Sequence, residues 1–390
     1  MIRLAILGST GSIGESALEV VRRHPDVFQV TALAGNRQLE ALVGQVAEFR
    51  PKVAILAAEE GPDLPDDTQH TSWARGRSAL VDLASREDVD VVLNAVVGAA
   101  GLEPTLAALE AGKRLALANK ESLVAGGALV RRAAEGGGGE LVPVDSEHSA
   151  ILQCLRDCPG EEVSRVILTA SGGPFRGWTS ERLERVGPAQ ALKHPTWSMG
   201  AKITIDSATL ANKALEVIEG HYLFDVPYDA IEAVVHPQSI VHSFVEFVDG
   251  SILAQVGEPT MELPILYALT HPHRRMDRTL QTFDPVAASP LTFEAVDPAV
   301  FRLYGLGVGA GAAGGFAPGY FNAANEIAVE AFLGGRIGFL EMADVVEEVI
   351  ESAPSMEPSA LSVVLEGDRE ARRLARAAVE RREHGSGGVQ

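Results

Sequence analysis

Arg3-Leu4-Ala5-Ile6-Leu7-Gly8-Ser9-Thr10-Gly11-Ser12-Ile13-Gly14 decides how the chain begins to fold. Its first five residues are almost all apolar, as a strand buried on both faces of a sheet requires. A glycine-rich turn follows, and then a segment with Ala17, Leu18, Val20 and Val21 at helical spacing. Strand, glycine turn and helix N-terminus in that order form the context of a dinucleotide fingerprint. Glycines let the backbone approach a diphosphate, which backbone N–H groups and the positive end of the helix dipole then hold. The spacing G-x-x-G-x-x-G departs from the commoner G-x-G-x-x-G, and an ordinary tight strand-to-helix turn has the same residues.

The next strand ends at Ala34-Gly35-Asn36-Arg37, where a cofactor lacking a 2′-phosphate meets an Asp or Glu. No acid stands there. Arg37, with Asn36, offers charge and donors to a 2′-phosphate and favours NADPH over NADH, unless Arg37 is simply a solvated surface residue.

Further Val/Ile/Leu-rich runs at 28–33, 53–56, 90–95, 114–118 and 141–144 alternate with segments of helical spacing. The expected fold class is therefore α/β, opening with a Rossmann-like, doubly wound parallel sheet over residues 1–145. The Gly run 136–139 reads as a turn or flexible connection. A central α+β catalytic domain is expected over 146–270, with a strand at 163–170, a helix over 206–219 and a hairpin of 240–248 with 251–256. Asp249-Gly250 would supply the positive φ angles at that turn. Residues 271–298, rich in Pro, Thr and Asp, read as a connecting arm. A small C-terminal helical domain is expected over 299–383, with helices at 321–333, 338–351 and 358–382, and a disordered tail over 384–390.

At 390 residues the chain exceeds the size of a single core, and 46% hydrophobic residues exclude a disordered one. A formal net charge of −20 disfavours nucleic acid or an anionic membrane as partner. The N-terminus shows neither a signal peptide nor a membrane span, which implies a cytoplasmic protein. Cys154 and Cys158, four residues apart on an expected helix, are too few for a disulfide framework or a complete zinc site.

Asp145 and Glu147 follow the strand at 141–144, at the end of a parallel sheet where such folds bind ligands. At i and i+2 of an extended chain both carboxylates project to one side, and an oxygen-only pair points to Mg²⁺ or Mn²⁺. The same residues also suit solvated acids preceding a helix, with Asp145 or Ser146 as its cap. Asn212, Lys213 and Glu216 share one face of the helix expected over 206–219, either as a converging polar set or as a solvent-facing Lys-Glu pair. Ser171 enters a Gly-Gly turn able to present a hydroxyl and N–H groups to a phosphate. Trp197 beside His194 on a loop reads as a lid or as a packed surface loop.

Eight ordered motifs run through the chain: G-S-T-G-S-I-G (8–14), L-A-N-K-E-S (117–122), V-D-S-E-H (144–148), S-G-G-P-F (171–175), H-P-T-W-S-M-G (194–200), N-K-A-L-E (212–216), H-P-Q-S-I (236–240) and N-A-A-N-E (322–326). Together they resemble the 1-deoxy-D-xylulose 5-phosphate reductoisomerase family over essentially the whole chain. The resemblance implies a metal held by Asp145, Glu147 and Glu216, with Co²⁺ a further candidate beside Mg²⁺ and Mn²⁺. It implies phosphate binding by Ser171, Ser207, Asn212 and His194, and binding of the chelating end of a small phosphorylated ketose by Lys120, Ser146 and Lys213 alongside Glu147 and Glu216. The cofactor NADPH would touch Thr10, Gly11, Ser12, Ile13, Asn119, Glu121, Gly200 and the turn Gly35, Asn36, Arg37, with Trp197 closing over the site. A homodimer is implied as well. The chain departs from many members at Ala214, where they have Gly, and in its 35–37 turn.

The activity so implied is a metal-assisted rearrangement of the ketose phosphate by carbon–carbon cleavage and re-addition, then hydride transfer from NADPH. A plain NADP-dependent dehydrogenase needs the glycine loop without three carboxylates, so a metal requirement separates the two. A catalytically silent sensor of NADPH needs neither the acids nor Lys120 and Lys213.

Overall fold

The computed structural model describes residues 1–156, 158, 160–197 and 199–386, the side chains of 384–386 excepted. The chain forms two compact units. The first comprises Met1–Ser122, Ala128–Leu152 and Thr260–Gln281. The second comprises Leu123–Gly127, Gln153–Pro259 and the chain from Thr282 onward.

In the first unit seven strands, β1 (Ile2–Leu7), β2 (Phe28–Gly35), β3 (Val53–Leu56), β4 (Ser72–Arg75), β5 (Val91–Asn94), β6 (Arg114–Leu117) and β7 (Glu140–Pro143), form one parallel sheet. Their order is β4-β3-β2-β1-β5-β6-β7. Ile6 lies beside Leu33 on one side and Leu93 on the other, so continuous apolar strands meet across the sheet. Leu18 and Val21 of the helix Ser12–Arg23, and Ile265 and Leu269 of the helix Glu262–Thr270, join them in one core. Direction along the sheet reverses between β1 and β5, and the turns after these two strands flank the crevice where open α/β sheets bind ligands.

Two local expectations change here. β4 was not expected, because Ser-Trp-Ala-Arg is too short and too polar to stand out. The glycines at 136 and 137 end the helix Lys120–Gly137 instead of forming a flexible link, and Gly138, at φ +70°, caps it. A Cβ on Gly137 would lie 2.2 Å from the Leu109 carbonyl oxygen, so close packing explains that glycine. Residues 271–281 stay with this unit: Arg23 Nε donates to Asp277 at 2.8 Å, and His271 Nδ1 lies 2.9 Å from Glu140.

The second unit holds a mixed sheet of β8 (Val163–Ala170), β9 (Ile231–Val235), β10 (Val241–Phe247), β11 (Ile252–Val256) and β12 (Glu294–Ala295), in the order β11-β10-β8-β9-β12. Only β8 and β9 run parallel. The β10–β11 turn takes positive φ at Gly250 alone: Gly250 N donates to Phe247 O and Phe247 N to Ser251 O, both at 2.9 Å, giving a three-residue hairpin loop. Asp249 instead accepts from Ser251 N at 2.9 Å.

The helix expected over 206–219 is two helices, Ala201–Thr209 and Ala211–Phe224, broken at Leu210, whose φ of +59° is left-handed. Asp206 is therefore not a helix start; it lies inside the first of the pair. C-terminally the unit has Arg302–Ala313, Ala317–Leu333, Glu341–Ile350 and Leu361–Ser386, one helix more than expected. The first of these carries four alternate glycines, which mask its helical character. Gly307 and Gly311 face inward: a Cβ on Gly307 would lie 2.6 Å from the Ala214 Cβ, and one on Gly311 would lie 2.8 Å from Ile218, so the glycines let this helix approach Ala211–Phe224 closely. The last helix runs to Ser386, and residues 387–390 of the expected tail lie outside the described residues. Among the described residues no helix is long and apolar enough to cross a membrane.

Candidate active site

In the first unit the turn after β1 is held by backbone. Gly8 N and Ser9 N both donate to Ala34 O at 2.8 Å, and Gly11 N donates to Gly8 O at 3.0 Å. A Cβ on Gly8, whose φ is +83°, would sit 2.5 Å from Ala95 O, and one on Gly14 would sit 2.3 Å from Gly8 O. Glycine is thus obligatory at both ends of the turn. Gly11 caps the helix Ser12–Arg23 without a side-chain hydrogen bond, leaving the exposed Gly11-Ser12 backbone open to an anion. Thr10 and Ile13 are half-buried beside it, and Gly35 packs against the Thr10 side chain. Asn36 and Arg37 are exposed at the end of β2. Ser9, not singled out from sequence, ties the turn to the next helix: its Oγ donates to Gln45 at 2.7 Å and its carbonyl accepts from Gln45 Nε2 at 2.9 Å.

A buried polar network braces the neighbouring turns. Asn119 caps the helix Lys120–Gly137, accepting from Ser122 N at 3.1 Å, while its Nδ2 donates to Val96 O, Gly98 O and Glu121 Oε2 at 2.7, 3.0 and 2.9 Å. Asn94, unremarked in the sequence, donates to Gly101 O and Thr105 Oγ1, each at 2.9 Å. Asn119 and Glu121 thus hold the loop after β5 in shape.

β7 delivers Asp145 and Glu147, but not on an extended strand. A helix Ser146–Cys154 starts at once, with Ser149 N donating to Asp145 O at 2.8 Å. The extended reading fails and the helix-start reading stands: Asp145 precedes the helix and Glu147 lies in its first turn. Lys120 Nζ donates to Asp145 Oδ2, and Ser146 Oγ donates to Glu147 at 2.5 Å. In this unit, then, Lys120 pairs with Asp145 and Ser146 with Glu147, with the Lys120 side chain 9% exposed and Asp145 15%.

In the second unit Ser171 directly follows β8, and the turn it enters is glycine by necessity: Gly172 and Gly173 have φ of +85° and +62°. His194 Nε2 lies 3.1 Å from Ser171 Oγ and 3.0 Å from Ser207 Oγ. Its other nitrogen, Nδ1, accepts from Thr196 N and Trp197 N at 3.1 and 2.9 Å. Two N–H donors on Nδ1 fix the proton on Nε2, so the ring presents an N–H toward the two serines. Burial lowers the His194 pKa from its ordinary value and keeps the ring neutral. Trp197 is half-buried, and Gly200, exposed, caps the helix Ala201–Thr209.

On Ala211–Phe224 the i, i+1, i+4 set converges as expected. Asn212 Nδ2 and Lys213 Nζ both donate to the Glu216 carboxylate. The solvent-facing alternative is excluded, since the side chains of Lys213 and Glu216 are 4% and 1% exposed. Buried charges of this kind persist only when paired or ligating. Helix 211–224 owes this presentation to the break at Leu210, where Thr209 Oγ1 donates to Ile205 O at 3.0 Å and Ala211 N donates to Thr209 Oγ1 at 3.3 Å.

Comparison with known proteins agrees along the chain. A model of 1-deoxy-D-xylulose 5-phosphate reductoisomerase matches residues 4–127, a model of its C-terminal domain matches 141–224, and a further DXP reductoisomerase C-terminal domain model matches 256–374. The chain is 48% identical over 390 residues to the 1-deoxy-D-xylulose 5-phosphate reductoisomerase of Cupriavidus taiwanensis, covering 98% of this chain and 99% of that protein. It is 51% identical over 374 residues to that of Nocardia farcinica, covering 95% and 93%. The solved reductoisomerase of Zymomonas mobilis in complex with NADPH superposes with a TM-score of 0.90 at 42% identity, covering 97% of this chain and 99% of that one. A DOX-P reductoisomerase in complex with NADPH, fosmidomycin and magnesium superposes with a TM-score of 0.89 at 38% identity, covering 97% and 98%. On the strength of this likeness, extending from the glycine turn through the C-terminal helices, the chain belongs to the 1-deoxy-D-xylulose 5-phosphate reductoisomerase family.

Proposed function

We propose that this chain, as a member of that family, converts 1-deoxy-D-xylulose 5-phosphate to 2-C-methyl-D-erythritol 4-phosphate with NADPH and a divalent cation, and that Asp145, Glu147 and Glu216 hold the cation. The observation that carries the residue assignment is the buried Glu216 carboxylate with Lys213 and Asn212 on it. An all-carboxylate donor set fits Mg²⁺, Mn²⁺ or Co²⁺, and the lysine on each side, Lys120 on Asp145 and Lys213 on Glu216, limits the negative charge gathered there. The tight glycine turn, which leaves no space for a Cβ at Gly8 or Gly14, and the exposed helix start at Gly11-Ser12 fit the NADPH diphosphate.

When bound, the cation supplies polarisation of the ketone and its neighbouring hydroxyl, and the nicotinamide supplies the hydride. The chain's own groups do the rest. Ser171, Ser207, Asn212 and the Nε2–H of His194 grip the phosphate, so the phosphorylated fragment stays in place between carbon–carbon cleavage and re-addition. Lys120, Ser146 and Lys213 orient the oxygen-bearing end. Thr10, Gly11, Ser12, Ile13, Asn119, Glu121 and Gly200 line the cofactor, and Gly35, Asn36 and Arg37 receive its 2′-phosphate. Trp197 covers the substrate and excludes water, which would otherwise compete with the electrostatic contacts.

A homodimer is part of this reading. Edge strand β11 exposes Ile252, Leu253 and Val256 at 49%, 48% and 40%, and pairing of this strand with its symmetry mate would cover them. The acidic surface and the small phosphorylated substrate support a cytoplasmic enzyme without nucleic-acid or membrane partners.

The test is NADPH oxidation, followed by nicotinamide absorbance, with purified ketose phosphate and Mg²⁺ or Mn²⁺. Glu216→Gln is expected to lower metal-dependent turnover by at least about a hundredfold while NADPH binding persists. Unchanged turnover and metal affinity in that variant would remove Glu216 from the ligand set.

A further inference from the structure

The motif N-A-A-N-E at 322–326 lies on helix 317–333, and Asp206 lies inside helix 201–209; neither takes part in the chemistry above. Asp206 is 1% exposed and Asn325 0%. A carboxylate so deeply buried is costly unless its oxygens are satisfied. Asn325 Nδ2 donates to one of them, Oδ1, at 2.7 Å, and Lys202 Nζ reaches the other, Oδ2, at 2.7 Å from one turn earlier on the same helix. The amide oxygen of Asn325 is equally buried and has no hydrogen-bond partner among the described residues, so the whole side chain is committed to this one contact. Helix 317–333 is itself anchored: Asn322 Nδ2 donates to Glu326 at 3.1 Å, and Arg372 bridges Glu326 at 2.6 Å and Asp368 at 2.8 Å.

We propose that Asp206 and Asn325 are positioning residues that fix the rotation of helix 201–209 and thereby aim the Ser207 hydroxyl at the phosphate of the substrate. Consecutive helical residues point about 100° apart, so holding Asp206 toward helix 317–333 sets the direction of Ser207. Ile205 and Ala208 share one apolar core with Phe321 and Ala324, which holds the helices together but leaves their rotation loosely specified, whereas a hydrogen bond to a buried carboxylate fixes it. Ser207 Oγ sits 3.0 Å from His194 Nε2, a distance that a small rotation of the helix would spoil. The inference rests on the assignment of Ser207 to the phosphate.

Full-length variants would be checked for folding by circular dichroism and assayed for kcat and for the KM of each substrate. Asn325→Leu is expected to raise the KM for the ketose phosphate about tenfold, with little change in kcat or in the KM for NADPH, the scale of one hydrogen bond to a charged group. The exchange Asp206→Asn with Asn325→Asp, which swaps donor and acceptor, is expected to recover most of that loss. A folded Asn325→Leu variant with unchanged KM overturns the proposal, as does a parallel rise in both KM values, the mark of general loosening. Should Asn325→Leu fail to fold, Lys202→Gln decides: a selective rise of about twofold to fivefold supports the proposal, and no rise overturns it. Ser207→Ala separates the two levels of argument. If it leaves the KM unchanged, the phosphate assignment fails; if it raises the KM and Asn325→Leu does not, only the positioning role fails.

Discussion

The turn after β1 and the polar end of helix 211–224, the proposed sites of cofactor diphosphate and of cation, are built by opposite means. At the turn the protein offers backbone: glycines at 8 and 14 let the chain pack tightly on itself, and a helix N-terminus would meet the anion without any formal charge. On helix 211–224 it offers side chains, a buried lysine and carboxylate that neutralise one another, with the half-buried Asn212 amide on the same carboxylate. The first kind of site is sensitive to added volume and indifferent to salt bridges. The second is sensitive to charge and depends on how its helix is seated.

Gly14→Ala tests the first half of that contrast most harshly. The new methyl would stand 2.3 Å from Gly8 O, with rigid backbone on both sides. Overpacking of this kind costs about 1–3 kcal/mol, so NADPH affinity by fluorescence titration should fall about tenfold to a hundredfold. Wild-type affinity would show that the turn is not a close-packed cradle.

A smaller effect is expected where helix 302–313 seats helix 211–224. Gly307→Ala brings a methyl to 2.6 Å from both the Ala214 Cβ and the Phe321 ring and should lower stability by about 1–3 kcal/mol in a thermal or urea melt. Ala214→Gly alone should cost about 1 kcal/mol of helix propensity. Combined with Gly307→Ala it should cost less than the two single changes added, with a coupling of about 0.5–1.5 kcal/mol. Simple additivity would mean that the two residues do not share one contact, and that the Ala at 214 owes nothing to the Gly at 307.

The smallest effect concerns His194. Burial depresses its pKa below the ordinary value, so the folded state prefers the neutral ring. Its contribution to stability is fully present above the unfolded pKa, about 6.5, and is lost as pH falls from there through the folded value. Protonation at Nδ1 would also expel the Thr196 and Trp197 N–H donors. Trp197 fluorescence, taken as the difference from a Trp197→Phe variant, should therefore shift on acidification in that window, and His194→Asn should abolish the shift. A shift that persists without His194 would assign it elsewhere.

Much of this was legible beforehand, for reasons that differ by region. The parallel sheet declared itself because each strand, buried on both faces, is a run of apolar residues, and the glycine turn because its spacing is local. Lys213 and Glu216 were legible as a helical pair, yet only burial distinguishes them from an ordinary surface pair. Helix 302–313 was hidden because Gly305, Gly307, Gly309 and Gly311 argue against helix locally, while the contact with helix 211–224 overrides that preference. The start of a helix at Ser146 stood open beside an extended reading, and the break at Leu210 was missed, for a related reason. Nothing in Asp145-Ser146-Glu147 excludes an extended chain, and a left-handed leucine carries no sequence signal at all. The partnership of Asp206 with Asn325, 119 residues away, lies beyond any local pattern.

The left-handed Leu210 has a bearing on how such chains can diverge. Downstream, Ala211, Ala214, Leu215 and Ile218 are locked into the core, and upstream Ile205 and Ala208 are as well. One residue added or removed at the junction would turn the following helix by about 100°, either burying Asn212 where Leu215 belongs or unseating the core. The junction can therefore accept exchanges of side chain but no change of length, and insertions in relatives should fall on either side of this pair of helices, never between them.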